Sequence, residues 1–427
     1  MRQLKIAFLM TQFPIPGGLF IYDRIIGLLN LGHEVLILAK SPATREFPLH
    51  ESLKRYKLTQ RVDYFGAPGS FLAVLKVVLS DLAKHPVFLF KCMVKSLRVS
   101  GGGRFVSTYF AIRALSKHEH IDIFFGMSGP TSQQNLFLKT LYPQAKFAAN
   151  FYGFDFSSRI RKQGPNIYQS LFKQADLMIS QSYYSRDCVI ALGCPEYKII
   201  KHPFGVNPSV FSFHERKVDE HEGLRFITVA RLIEKKGHRL ILTAISNLIR
   251  RGRKLTYHIV GDGPLLHDIL GQIESDSHLK GNVIYHGYKT QFQIAEILCN
   301  CHVFLHPSVT TLAAAAQEDT PTTLLEAQAT GMPVIATYHA GIPEIVKHNV
   351  TGLLVPERNV YELEKAIDFF IHNPHECSLM GAAAREFIET GFDTAHLSKK
   401  LEHVFYRLLD SAPEEPLGID TTDSLSL

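Results

Sequence analysis

The sequence predicts an α/β protein built from two Rossmann-like, doubly wound domains that face each other across a cleft. Three observations carry this. The chain has 427 residues, well past the ~250 to 300 at which a single core stops growing. Short apolar runs alternate with helix-length periodic segments, and that alternation restarts half-way along the chain. The strand-like runs are continuously apolar, as in parallel strands covered on both faces.

In the first half, strands are expected at 4–10, 34–39, 121–125, 146–150, 176–180 and 197–201. A helix is expected over 19–31, after the turn residues Phe13-Pro14 and Gly17-Gly18. The pattern restarts beyond His202-Pro203-Phe204-Gly205 with strands expected at 225–230, 256–260, 282–285, 302–306 and 333–336. Helical patterns at 360–371, 377–389 and 395–409 close the chain. The expected organisation is therefore a first domain over 1–205, a second over 206–390, a helix over 391–410 that packs back on the first domain, and a disordered acidic tail over 411–427. Ligands of such sheets lie beyond the carboxyl ends of the strands, so the cleft is where function is sought. A hinge for closure would lie in 204–223 and just before Ala395.

One stretch interrupts the pattern. Phe71 to Arg98 is strongly apolar yet carries Lys76, Lys84, Lys91, Lys95 and Arg98, with His85-Pro86 in its middle. It reads as two short amphipathic helices, either a layer over the first sheet or a surface that meets an anionic membrane.

Composition is that of a folded protein, 46% hydrophobic and 20% charged, with net charge +6. The tail holds Glu414, Glu415, Asp420 and Asp423 and no basic residue, so the body is more basic still and suits an anionic ligand. Six cysteines are too few for a disulfide scaffold, and the first ten residues are too short an apolar run for a signal peptide. The expected setting is cytoplasmic. No run reaches the ~18 to 20 apolar residues of a spanning helix.

The chemistry concentrates between His306 and Glu344. A buried strand ends at His306-Pro307, a small-residue loop follows, and Thr320-Pro321 supplies an N-cap and a proline for the first helical position. The start of that helix is expected to face a diphosphate. Glu318 stands at its mouth, placed to meet a sugar, and Glu326 about two turns along, placed for vicinal hydroxyls such as those of a ribose. Arg231 and Lys236 follow the strand at 225–230 and reach the same cleft. Fixed cations there would neutralise the charge that builds on a leaving diphosphate.

Other patterns carry less. Gly261-Asp262-Gly263-Pro264 has Leu266 where a dinucleotide fingerprint needs its third glycine, so a tight strand-to-helix turn accounts for it. Gly126-Met127-Ser128-Gly129 lacks the spacing of a nucleophile elbow. Cys299-Asn300-Cys301-His302 enters an apolar strand without a second ligand pair. Glu274-Ser275-Asp276 lies at a polar helix end, a poor place for a metal-binding triplet.

Taken together, the Glu318-x7-Glu326 pair, Gly331 to Val334, the Gly-Ile-Pro-Glu turn at Gly341 to Glu344 and the Arg231/Lys236 loop resemble the family 4 retaining glycosyltransferases of the GT-B fold. Within that family the chain is most similar to the exopolysaccharide and colanic-acid-type transferases. The resemblance runs nearly end to end through the second domain and is looser in the first. It implies that Glu318 contacts the donor sugar, Glu326 the ribose, and Arg231 and Lys236 the diphosphate, with backbone at Gly18 and Thr320 facing phosphate. The donor-binding set it suggests also takes in Gly261, Tyr288, Pro321, Thr322 and Leu325. It further implies front-face transfer with retention, no metal and no cofactor, and a glycan or lipid-linked acceptor rather than nucleic acid. The family often has His-Gly-x-Asp where this chain has Tyr152-Gly153-Phe154-Asp155. Tyr152 keeps a hydrogen-bonding group but no imidazolium, and Asp155 is expected as a polar contact to donor sugar or acceptor. Two other readings share the fold: a nucleotide-sugar epimerase or soluble-acceptor synthase, and a non-catalytic nucleotide-binding partner subunit.

Overall fold

The computed structural model describes residues 2–15, 18–43, 51–100, 105–218, 223–313 and 315–410. The expected acidic tail and Gly17 lie outside them. Two parallel sheets form the frame. The first contains β1 (Lys5–Phe13), β2 (Glu34–Pro42), β3 (Val62–Tyr64), β4 (Ile123–Gly126), β5 (Lys146–Asn150), β6 (Leu177–Ser180) and β7 (Ile199–Lys201), in the order β3-β2-β1-β4-β5-β6-β7. The second contains β8 (Leu224–Val229), β9 (Leu255–Val260), β10 (Val283–Gly287), β11 (Val303–His306), β12 (Val334–Thr337) and β13 (Gly352–Val355), in the order β10-β9-β8-β11-β12-β13. Strand order reverses between β1 and β4 and between β8 and β11, and crevices open at such switch points.

Eleven of these strands coincide with the expected ones to within a few residues. The two others are sheet edges. β3 is three residues long and only half-buried, too short to show a pattern. β13 is led by Gly352, where a Cβ would stand 2.1 Å from the Val334 carbonyl oxygen, so close strand packing removes the side chain that would have announced it.

The crossings between the halves lie side by side. The Val206 N–H donates to the Phe392 carbonyl (2.9 Å), the Thr394 N–H to the Val206 carbonyl (3.1 Å), and Gly205 leaves no room for a Cβ against Phe392. From this junction the helix Thr394–Asp410 returns to the first domain. Leu401, Val404, Phe405 and Leu408 join the core around β1 and β4, and His33 Nε2 meets Glu402 at 3.0 Å. The approach is close enough that a Cβ on Gly27 would overlap Ser398.

The stretch after β3 forms two helices, Phe71–Lys84 and Pro86–Ser100. His85 breaks them because a residue before proline avoids the helical region. Their inner side packs on the helix Phe105–Leu115 through Leu89, Cys92, Tyr109, Phe110 and Ile112, and Asp81 accepts from Tyr109 Oη (2.6 Å) and Arg113 Nε (2.7 Å). The outer side leaves Phe71 78%, Leu72 69%, Val87 67% and Phe90 68% exposed, along with Leu79, Leu82 and Leu97. The pair is thus an outer layer with an apolar face left open. No helix among the described residues is long and apolar enough to cross a membrane.

Candidate active site

At the switch point of the second sheet, the chain leaving β8 tightens into a turn, Glu234–Lys236, closed by Gly237 at φ +70. A Cβ on Gly237 would lie 2.2 Å from the Pro307 carbonyl oxygen. Glycine here lets the β8 turn sit directly against the end of β11. That approach delivers the Lys236 ammonium to the Glu318 carboxylate, with which it forms an ion pair.

Glu318 is 8% exposed and bound on both oxygens. Oε1 faces Lys236 and, at 3.5 Å, Lys235. Oε2 accepts from Ser308 Oγ (2.6 Å) and His306 Nε2 (3.0 Å). Burial opposes ionisation of this carboxyl, yet Lys236 and the His306 hydrogen bond outweigh it and hold Glu318 well below the usual carboxylate range. Burial, with Lys236 alongside, pushes His306 down to about 4, so its ring is neutral and donates through Nε2. Arg231 lies exposed beyond the end of β8, and its charge adds to burial in lowering the Lys236 ammonium, against the opposing pull of Glu318.

The helix Thr322–Ala329 begins one residue later than expected. Pro321 is its N-cap and makes no side-chain capping bond, so Thr320 is not the cap. Thr320 is buried with Oγ1 unpaired. Glu326, on this helix, is buried, and burial followed by the charge of Asp23 raises its carboxyl to about 8. Asp23 belongs to the helix Leu19–Asn30 of the first domain and is itself raised to about 7 by burial. The charge of Asp23 thus bears on Glu326 from the other domain.

The cleft is closed around this cluster. Glu344, the last residue of the Gly-Ile-Pro-Glu turn, accepts from the Tyr183 and Tyr184 N–H groups (3.0 and 3.1 Å) and from Lys201 Nζ (2.9 Å). Ser182 donates to Asp319, and Tyr184 Oη to Gln317 Oε1 (3.0 Å). Gly153 has no space for a Cβ against the Gln317 and Glu318 backbone.

The matched family model, "Glycosyl transferases group 1", spans residues 211–387. An amylovoran biosynthesis glycosyltransferase, AmsK of Erwinia amylovora, is 31% identical over 418 residues, covering 95% of this chain and 100% of its own. This chain is a group 1 glycosyltransferase. A putative colanic acid biosynthesis glycosyltransferase, WcaL of Escherichia coli, is 29% identical with 95% and 100% coverage. Among solved structures, the transferase superposes on a glycosyltransferase from Rickettsia africae (TM-score 0.70, 16% identity, 96% of this chain and 100% of that one) and on Anabaena HepE in complex with UDP (TM-score 0.67, 16% identity, 94% and 100%). These place it in the GT-B fold.

Within this glycosyltransferase the expected site residues divide. Lys236, Glu318, Arg231, Glu326 and Thr320 gather along the cleft, with Pro321 and Thr322 at the helix start. Gly18 caps the helix after β1, and Tyr288 lies half exposed just after β10. Gly261 has a different part. Its N–H donates to the Gly287 carbonyl and its own carbonyl accepts from Tyr285 Oη (3.0 Å), while at φ +141 it leaves clearance for the Ala230 carbonyl. It therefore shapes the β8 loop. Leu325 belongs to the hydrophobic core beside Val229 and Val260.

Asp155 is 1% exposed and accepts the Gly129 N–H (3.0 Å) and the Tyr152 N–H (3.1 Å). That makes it a brace for the loop ends rather than an open polar contact, and burial raises it to about 7. Tyr152 stacks on Phe204 and meets Phe20 edge-on. Positive charge beside it comes from Arg24, a buried guanidinium that donates to Asn150 Oδ1 (2.7 Å) and the His202 carbonyl (2.8 Å) and lies 4.2 Å above the Phe204 ring. Sequence reasoning missed the contacts of His306 and Ser308 to Glu318, of Asp319 to Ser182 and of Arg24 to Asn150, because none of them follows from the spacing within a motif.

Proposed function

We propose that this glycosyltransferase moves a hexose from a nucleotide diphosphate-sugar to a lipid-linked glycan acceptor, with retention and without a metal, in the building of an exopolysaccharide, capsule or lipopolysaccharide. The observation that carries this reading is the Lys236–Glu318 pair with Lys235 and Arg231 around it, set beside the start of the helix Thr322–Ala329. An arriving diphosphate offers Lys236 a second anion. Lys236 and Arg231 then face charge that grows as the glycosidic bond breaks, and each is worth on the order of 2 to 4 kcal/mol of barrier. A fixed pair of cations supplies the charge neutralisation for which other transferases use a divalent ion.

Glu318 is a poor nucleophile on this reading, since both oxygens are hydrogen-bonded and the carboxyl is strongly acidic. It serves instead as an acceptor for donor-sugar hydroxyls, and the leaving phosphate takes the acceptor's proton on the same face. Glu326, protonated below about pH 8, is able to donate to one ribose hydroxyl and accept from its neighbour. The relatives' names, amylovoran and colanic acid biosynthesis, support an exopolysaccharide acceptor. The open apolar face of Phe71–Ser100 with Lys76, Lys84, Lys91 and Lys95 supports a peripheral seat on the anionic cytoplasmic side of a membrane.

The test is turnover in EDTA. Lys236→Ala and Arg231→Ala are each expected to lower nucleotide-sugar turnover about 10²-fold or more while melting stays cooperative. Near-normal turnover in either would show that its cation does not stabilise the leaving diphosphate.

A further inference from the structure

A backbone N–H can only donate, and this fixes a proton elsewhere in the site. The Glu318 N–H points at His339 Nε2 at 3.0 Å, so Nε2 is the unprotonated nitrogen of that ring. The remaining nitrogen, Nδ1, lies 2.7 Å from Glu357 Oε1 and donates to it. His339 is completely buried and thus stands as a neutral imidazole in one tautomer, wedged between the Glu318 backbone and the Glu357 carboxylate.

Glu357 holds a second point. Its Oε2 accepts the Thr310 N–H at 2.7 Å, and the adjacent Arg358 donates to the Thr310 carbonyl at 2.6 Å. Thr310 and Glu318 are near the two ends of the loop that joins β11 to the helix Thr322–Ala329. One carboxylate beyond β13 therefore pins both ends of the loop that carries Glu318, directly at Thr310 and through His339 at Glu318. The side chain of Glu318 is gripped from the opposite side by Lys236, His306 and Ser308.

We propose that His339 and Glu357 are positioning residues of the transfer reaction: a histidine–glutamate pair that sets where the Glu318 carboxylate stands against the donor sugar by holding its main chain from behind. Neither is a catalytic residue, since the ring is completely buried and both its nitrogens are already taken, by the Glu318 N–H and by Glu357. On the proposed function nucleotide binding rests on Arg231, Lys236, Glu326 and the helix start, and among the described residues no hydrogen bond or ion pair joins the pair to any of them. Its loss therefore falls on turnover and spares the nucleotide. A misplacement of about 1 Å in such a site costs on the order of 10²-fold in rate.

The inference rests on Glu318 being the contact to the donor sugar, and the experiment separates the two. UDP and GDP affinities, and turnover of the sugar nucleotides of whichever base binds, are measured for the full chain and for Glu318→Gln, His339→Phe, His339→Gln and Glu357→Leu. His339→Phe keeps a ring but loses the acceptor, whereas the Gln carboxamide retains one. The expected result is a kcat lowered by about 10²-fold in His339→Phe and Glu357→Leu, nucleotide Kd within about threefold of the parent, and His339→Gln restored to within about tenfold. Unchanged kcat in His339→Phe with an inactive Glu318→Gln overturns the positioning role alone. A fully active Glu318→Gln overturns the reading of the site on which it rests. Parallel loss of kcat, nucleotide affinity and melting temperature in His339→Phe and Glu357→Leu, with no rescue by His339→Gln, shows a merely structural pair and overturns the proposal too.

Discussion

Single residues in this site are set by the balance of burial against pairing. Glu318 and Glu326 are both buried acids of one loop-helix segment, yet they are driven in opposite directions. Glu318 has Lys236 and two donors, whereas Glu326 faces Asp23 and stays protonated to about pH 8. The consequence for stability has a definite sign. Folding raises Glu326 above its ordinary value of 4.5, so the folded chain keeps a proton that the unfolded chain has shed. The associated stability is fully present below about pH 4.5 and is lost as pH rises through about 8. Thermal melts from pH 6 to 9 should therefore fall more steeply for the parent than for Glu326→Gln, and parallel curves would show that Glu326 is not raised. At this scale the sequence was informative where a motif names the residue. Glu318, Glu326 and Lys236 were legible because spacing and neighbours marked them. His339 and Arg24 were not, since their partners lie 21 and 126 residues away in the chain.

At the scale of elements, nearly every strand was readable from its continuous apolar run, and the edges were lost because β3 is too short and β13 starts with a glycine that close packing demands. The start of the helix at Thr322 shifted by one residue because Pro321 takes the N-cap itself. Asp155 looked like an open polar group in sequence, but the turn it braces buries it. The helices Phe71–Lys84 and Pro86–Ser100 form an outer helical layer. They pack on one side through the cluster around Tyr109 and Phe110, and they leave Phe71, Leu72, Val87 and Phe90 open on the other. Exposed apolar surface of this kind is where an interaction is sought. Pelleting with anionic vesicles should retain the protein. Changing Lys76, Lys84, Lys91 and Lys95 together to glutamate should abolish retention and leave turnover of the sugar nucleotide in solution within about twofold. Equal pelleting of both proteins would remove the membrane role from these helices.

For the whole molecule, the two sheets, the paired crossings at Val206 and Asp393 and the returning C-terminal helix frame the cleft that holds the site. Polar contacts that span it among the described residues include Glu344 on two N–H groups and Lys201, Asp319 on Ser182, and Tyr184 on Gln317. Removing the first set should tip the balance. Glu344→Ala is expected to enlarge the radius of gyration of the ligand-free protein in small-angle scattering, with a saturating nucleotide restoring part of the parent value. A profile identical to the parent would show that Glu344 does not hold the cleft.

Above all, the proposed function makes the closed cleft a nucleotide-sugar site that needs no metal. Its most direct test is the melting temperature of the purified protein with UDP, GDP, dTDP or ADP in the presence of EDTA, for the parent and for Glu326→Ala. A metal-free site predicts a rise with one of the four that survives chelation and disappears in the variant. A rise that requires a divalent ion, an equal rise in Glu326→Ala, or no rise with any of them would contradict it.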